Sequence, residues 1–279
     1  MKSSAICWNW LKSLPPTQGN LQKEQVLGRE QLFDKGIPSP KDEAWRLSNL
    51  KRLNEFLSLP LTIKGRSNPQ FPDEEKSIKR LILNTNNGIL EDIDLPEGIT
   101  QLSDREIEEN IGNVINHCNI KNDLSVSINQ ASSSDLLALK VNNKIIQSLE
   151  IIIPSRQQQM ISTRVMIIVE EGAKLDLLEV ILGANQSAQN HLVEIKLEAN
   201  AELNHELISL GQGTQASSIS TIAVEQGPHS KYSLNSVHQG WHYARFEPRI
   251  IQMQGDASTT IKSLQVTSAK EQIATHSLV

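Results

Sequence analysis

The residues of this chain that could do chemistry fall into a few small constellations. Gly211-Gln212-Gly213-Thr214-Gln215-Ala216 fits the loose pattern Gly-x-Gly-x-x-Gly/Ala. That pattern cradles a pyrophosphate when a helix follows, because free amides and the helix dipole then face the phosphates. Here Ser218–Val224 follows, rich in Ser, Thr, Ile and Val, and it reads as a strand, so the glycines are expected to make a turn. His238 and His242 are four apart, the spacing that puts two imidazoles on one helix face for zinc. Gln239-Gly240-Trp241 between them reads as a turn, and no glutamate follows His238 as a metallopeptidase would need, so a surface or turn role is expected. His117 and Cys118 are adjacent and should point apart, which suits no shared ligand set. His191, His205, His229 and His276 have no carboxylate or nucleophile at a useful spacing in sequence. Glu170, Glu171, Glu198 and Glu225 fall at turns, where solvation accounts for them. There is no Gly-x-Ser-x-Gly elbow and no Gly-x-x-x-x-Gly-Lys-Ser/Thr phosphate loop. No residue is therefore assigned a catalytic or metal-binding role and none is assigned to a cofactor; contact of His276 or Cys118 with metal stays open.

The elements that would have to position these residues repeat. From residue 172 onward a turn recurs every 27 or 28 positions, at Gly172, Asn200, Gly227 and Gly255, and a second series lies between them at Gly183, Gly211 and Gly240. A fixed period of this length marks a solenoid, whose coils bury their apolar sides only by stacking on one another. The strands expected are Leu136–Val141, Lys144–Ile153, Ile161–Glu170, Lys174–Leu182, His191–Glu198, Glu202–Leu210, Ser217–Glu225, Lys231–His238, Arg245–Met253 and Ser258–Val266. Several alternate apolar and polar residues, as strands with one inward face do. No spacer between them is long enough for a helix, which excludes a doubly wound α/β sheet. A β-helix with two strands per coil fits best, and a β-sandwich is the alternative architecture.

The first part reads as helical. Leu27, Leu32 and Phe33 space an apolar face that Gly36-Ile37-Pro38 ends. Ser39-Pro40-Lys41-Asp42 resembles a helix start, followed by Trp45, Leu47, Leu50, Leu53, Phe56 and Leu57 at helical spacing. Residues 64–76 read as a linker, and strands are expected at Lys79–Asn84 and Ile89–Ile93 around Asn86-Asn87-Gly88. Ser103-Asp104-Arg105-Glu106 is a capping box opening one helix that buries Ile107, Ile111, Val114 and Ile115 and ends near Asn116. The expected organisation is a helical region with linker over 1–77, a mixed α/β connection over 78–134 and a partial β-helix over 135–279.

Composition sets the remaining bounds. The net charge is −5 with no basic stripe, which argues against nucleic acid as the main partner. Aromatics are 4% of the chain, so Ile, Leu and Val must fill the core. Two cysteines are too few for a disulfide framework or a cysteine zinc site. No stretch approaches the roughly 18 apolar residues of a membrane helix, and no signal peptide is evident. A soluble, cytoplasmic protein is expected.

Gly36-Ile37-Pro38-Ser39-Pro40-Lys41-Asp42-Glu43-Ala44-Trp45-Arg46 matches G-x-P-x-x-[KR]-x-E-x-W-[KR] at Gly36, Pro38, Lys41, Glu43, Trp45 and Arg46. Gly240 through Arg245, Gly255-Asp256-Ala257 and Glu271-Gln272-Ile273-Ala274-Thr275-His276 form a second set. With the repeat between them, these stretches resemble the SufB/SufD family of iron–sulfur cluster assembly scaffolds, and its SufD branch more than its SufB branch. The resemblance implies a right-handed parallel β-helix, mainly β, behind a helical N-terminal region. It implies a non-enzymatic scaffold that pairs with a SufB-like subunit through the β-helix and with a SufC-like ATPase through C-terminal helices. It implies a transient iron–sulfur cluster and reduced flavin at the level of the complex, although no flavin motif is present. Family members continue well beyond the counterpart of His276, so the chain is expected to be a truncated or split form lacking the last coils and the ATPase-docking helices. A β-helical carbohydrate-active enzyme, needing an acid/base cluster on one solenoid face, and a plain β-solenoid interaction protein are the other readings.

Overall fold

The computed structural model describes residues 5–61, 78–83, 95–142, 146–212, 215–268 and 270–279. Helices α1 (Ala5–Ser13), α2 (Gln22–Lys35) and α3 (Leu50–Ser58) come first, with 3-10 turns at Gly19–Leu21 and Glu43–Trp45. Next come β1 (Lys79–Ile82), β2 (Ile99–Gln101), α4 (Asp104–Asn110), α5 (Asn113–His117) and α6 (Leu124–Ser132). The solenoid follows: β3 (Leu137–Val141), β4 (Gln147–Pro154), β5 (Met160–Val169), β6 (Lys174–Gly183), β7 (Ala188–Leu197), β8 (Glu202–Gly211), β9 (Ser217–Gln226), β10 (Lys231–Gln239), β11 (Tyr243–Gln252), β12 (Ser258–Val266) and β13 (Ile273–Thr275).

Odd and even strands separate into two sheets, ordered β13-β11-β9-β7-β5-β3-β2 and β1-β4-β6-β8-β10-β12. All pairings are parallel except β2 with β3, so the chain is a parallel β-solenoid of about five turns. The ladders run without slippage: Val180 pairs with Ile208, and Val237 pairs with Ile208 and Leu264. Inward aliphatics of both sheets, among them Leu177, Val193, Leu207, Ile222 and Leu234, fill the bore.

The outer faces of the two sheets differ. β6 alternates intermediate and buried positions along its length, as a strand with one wet face must. β9 is buried at nearly every position, because α5 and α6 lie on β5, β7 and β9. Tight corners set the period: Gly172, Asn200, His229 and Asp256 all have φ near +60 to +70°, each two residues before an even strand. The third left-handed corner is thus His229 rather than Gly227. Asn, Asp and His tolerate that region better than most residues.

The helical part departs from expectation in four places. The helix expected from Ser39 starts at Leu50, capped by the Asn49 side chain, which accepts from the amides of Lys51 and Arg52. Asp42 accepts from the Ser39 amide instead, and Leu47 is 82% exposed. On α2 the buried face is Gln25, Gly28 and Leu32, and Phe33 points to solvent. The capping box at Ser103 is present, but its helix breaks into α4 and α5 at Gly112, whose φ is +77°. Helix α6 was not foreseen, since Ser, Asn and Gln dilute its apolar pattern; all nine of its residues are buried. The expected strand Ile89–Ile93 and the linker lie outside the described residues.

Candidate functional site

The two sets of motif residues meet in space. Trp45 lies under the Arg245 guanidinium, 4.0 Å from ring centroid to Cζ. Gln272 Oε1 accepts from the Asn49 amide at 3.1 Å and its Nε2 donates to the Leu47 carbonyl at 2.9 Å. Arg52 donates to the carbonyls of His242 at 2.6 Å and Lys270 at 2.8 Å, and Arg245 donates to Ser48 Oγ at 3.2 Å. These bonds stitch the segment before α3 to the last described coil, across some 200 positions of sequence. The bonds of Trp45, Arg245 and Gln272 give these motif residues a part in holding the two regions together.

Beneath the stitching lies a cavity of about 540 Å³, walled by α2, by Gly36–Trp45, by the start of α6 and by β11 with His276. Its floor is ionic. Arg245, Glu247 and Arg249 sit at alternate positions of β11 and are each buried to 3% exposure or less. Arg245 Nη2 is 2.7 Å and Arg249 Nη2 3.3 Å from Glu247 Oε1, while Ser125 Oγ donates to Glu247 Oε2. Burial works to raise the Glu247 carboxyl, but His276, both arginines and Ser125 outweigh it and hold it at about 2. His276 Nδ1 stands 3.0 Å from Arg249 Nη2 and 3.9 Å from Glu247 Oε1.

A second polar cluster lies inside the bore. Glu179 of β6 points inward and bonds two histidines: His191 Nε2 at 3.2 Å from Oε1 and His205 Nε2 at 2.9 Å from Oε2. Thr163 Oγ1 reaches His191 Nδ1 at 2.7 Å and Tyr232 Oη reaches His205 Nδ1 at 3.1 Å, closing a chain across five strands. Burial opposes the carboxylate, yet His191 and His205 hold it at about 2. This corrects the reading that His191 and His205 have no carboxylate partner. The acid is 12 and 26 positions away in sequence, and only coil stacking brings it alongside. A third cluster joins Arg164 to Glu194 at 2.6 Å and to Glu24 at 3.0 Å, tying α2 to the solenoid wall.

The other sequence candidates scatter. His238 is buried rather than at the surface, its ring 4.6 Å from that of Phe246, and burial lowers it to about 4. His242 lies past the turn, 3.7 Å from Glu55, so the two histidines share no site. His117 pairs with Glu225 at 2.6 Å. Cys118 packs against the Val224 and Arg249 carbonyls, and burial pushes its thiol up to about 12. Gly211 closes β8 and is followed by β9, not by a helix, so the dinucleotide pattern lacks its helix N-terminus; Gly213 and Thr214 lie outside the described residues. Among the described residues no group of three His, Cys, Asp or Glu side chains is arranged to hold a metal ion, and no helix is long and apolar enough to cross a membrane.

A search of curated proteins finds no match to the chain. Residues 151–279 match the family model described as SUF system FeS cluster assembly, SufBD core domain. The match runs from within β4 to the last residue, covering most of the solenoid and the C-terminal motif set. It supports the SufB/SufD family and a link to iron–sulfur cluster assembly, without separating the SufD branch from the SufB branch.

Proposed function

We propose that this chain is a SufD-type scaffold subunit of an iron–sulfur cluster assembly complex, acting in the cytoplasm with a SufB-like subunit and a SufC-like ATPase. The observation that carries the reading is the coincidence of two things in one region. The SufBD core match covers 151–279, and there the chain forms a parallel solenoid locked by the seam at Trp45, Arg52, Arg245 and Gln272. The nascent cluster is the cargo of the complex, and this subunit contributes shape rather than chemistry. The buried carboxylates Glu179 and Glu247 are engaged by basic side chains, and burial pushes the Cys118 thiol up to about 12.

Carbohydrate cleavage is not favoured, because the outer-face acids are paired. Asp176 accepts from Asn204, Glu206 from Asn235, and Glu202 sits between Lys174 and Lys231. Co-expression with a SufB-like subunit and a SufC-like ATPase, followed by affinity purification and iron and sulfide analysis, tests the proposal. A stable complex that accumulates iron and sulfide is expected. Purification free of both partners would refute it.

A further inference from the structure

We propose that the cavity between α2, the Gly36–Trp45 segment and β11 is a binding site for a small organic anion, one carrying a carboxylate or phosphate on an apolar body. Its volume of about 540 Å³ lies in the usual range for small-molecule sites. The cations of the lining point to the sign of the ligand. Two guanidiniums, Arg245 and Arg249, are buried there against one buried carboxylate, Glu247.

The nearest further acid is Asp123, 3.4 Å from Arg249 Nη2 with its side chain 37% exposed. Burial and the charge of Glu247 raise its carboxyl, while Arg249 works to lower it. With Glu247 and Asp123 both facing the two guanidiniums, the surplus positive charge of the lining lies at the rim, where an incoming anion would meet it. Arg249 also keeps a spare donor: its Nε is buried and has no acceptor among the described residues. At the rim Lys35 and Lys41 are exposed and have no ion-pair partner among the described residues, whereas the rim acid Asp42 is turned to the Ser39 amide. The lining also has an apolar part, with Leu32, Ile37, Pro38, Trp45 and Leu124 placed to receive the body of the ligand, beside the polar Gln31, Asn122 and Ser127.

Thermal melts and calorimetric titration of the full chain with phenyl phosphate, malonate, inorganic phosphate and chloride at matched ionic strength test the proposal. Phenyl phosphate at tenfold excess over its Kd is expected to raise Tm by about 3 °C. Inorganic phosphate, lacking an apolar body, should bind more weakly, and chloride should give no shift. The rim variant Lys35→Gln/Lys41→Gln should bind phenyl phosphate about tenfold more weakly. Arg249→Lys, which keeps the charge but removes the fork and the spare donor, should lose at least as much. The proposal is overturned if chloride gives the same shift, or if the rim variant binds phenyl phosphate as the unmodified chain does.

Discussion

His205 Nε2 lies 2.9 Å from Glu179 Oε2 inside the solenoid, with both side chains fully buried. The two residues belong to neighbouring coils, so the contact exists only when coils stack in register. With His191 on the other carboxylate oxygen, Glu179 has donors on both sides in a bore lined mostly by aliphatics.

That arrangement predicts a specific acid response. The Glu179 and Glu247 carboxyls titrate near 2 in the folded chain against an ordinary value of 4.5. Their contribution to stability is therefore complete above pH 4.5 and is lost as pH falls towards 2. It is on the order of 3 kcal/mol for each. Glu179→Gln should destabilise the chain by roughly 3 kcal/mol at pH 7, since it strands two buried imidazoles. Urea melts from pH 7 down to pH 3 should show a shallower acid slope in the variant than in the unmodified chain.

The thiols give a second test. Cys7 is fully buried, and burial pushes Cys118 up to about 12. At pH 8 neither should react with a thiol reagent in the native chain, because thiolate is the attacking form and neither sulfur is freely accessible. Both should react within the mixing time in denaturant. Stoichiometric labelling of Cys118 under native conditions would contradict its placement.

The repeat and its strands were legible because the period of two and the recurrent left-handed corners are properties of short segments. Ten strands were expected between residues 136 and 266, and each is present within a few residues of its expected ends. The polar clusters were not legible. The period of two puts Glu179 in line with Leu177 and Ile181, but its histidine partners on β7 and β8 emerge only when the coils are stacked, and Glu247 is one acid in a basic strand until α6 and His276 close over it. Helix α6 escaped for a related reason. Its Ser125, Asn129 and Ser132 look solvent-seeking, yet they bond Glu247, the Thr163 carbonyl and the Ile128 carbonyl.

Packing of α2 on α6 supplies a third prediction. A Cβ on Gly28 would lie 2.5 Å from the Ala131 amide nitrogen and 2.8 Å from the Ser127 carbonyl oxygen, both backbone atoms that cannot swing aside. Gly28→Ala in an ordinary helix would gain up to about 1 kcal/mol from propensity. Here overpacking should exceed that gain and leave a net loss of about 1–2 kcal/mol. Chemical denaturation of the variant measures the sign, and a stabilised variant would show that the two helices do not approach this closely.

Arg52 offers the most local test of the seam. Its two Nη atoms donate to the carbonyls of His242 and Lys270, and with the Trp45–Arg245 stack it links the N-terminal segment to the β13 end of the solenoid. Hydrogen bonds from a charged donor contribute about 1.5–3 kcal/mol, so Arg52→Ala should cost roughly 2 kcal/mol of local stability. The loss should concentrate where the arginine acts. Amides in the last coil, such as those of Ala244 and His276, which bond the Gln272 and Phe246 carbonyls, should exchange with deuterium faster. Amides of β6 and β7, held by ladders on both sides, should keep their protection. An equal loss in all strands would mean that the last coil does not open separately from the rest of the solenoid. No change at all would mean that Gln272 and the Trp45–Arg245 stack hold the seam without Arg52. The graded outcome is expected, because residues 270–279 touch the body of the chain through few other bonds than those of the seam and of β11.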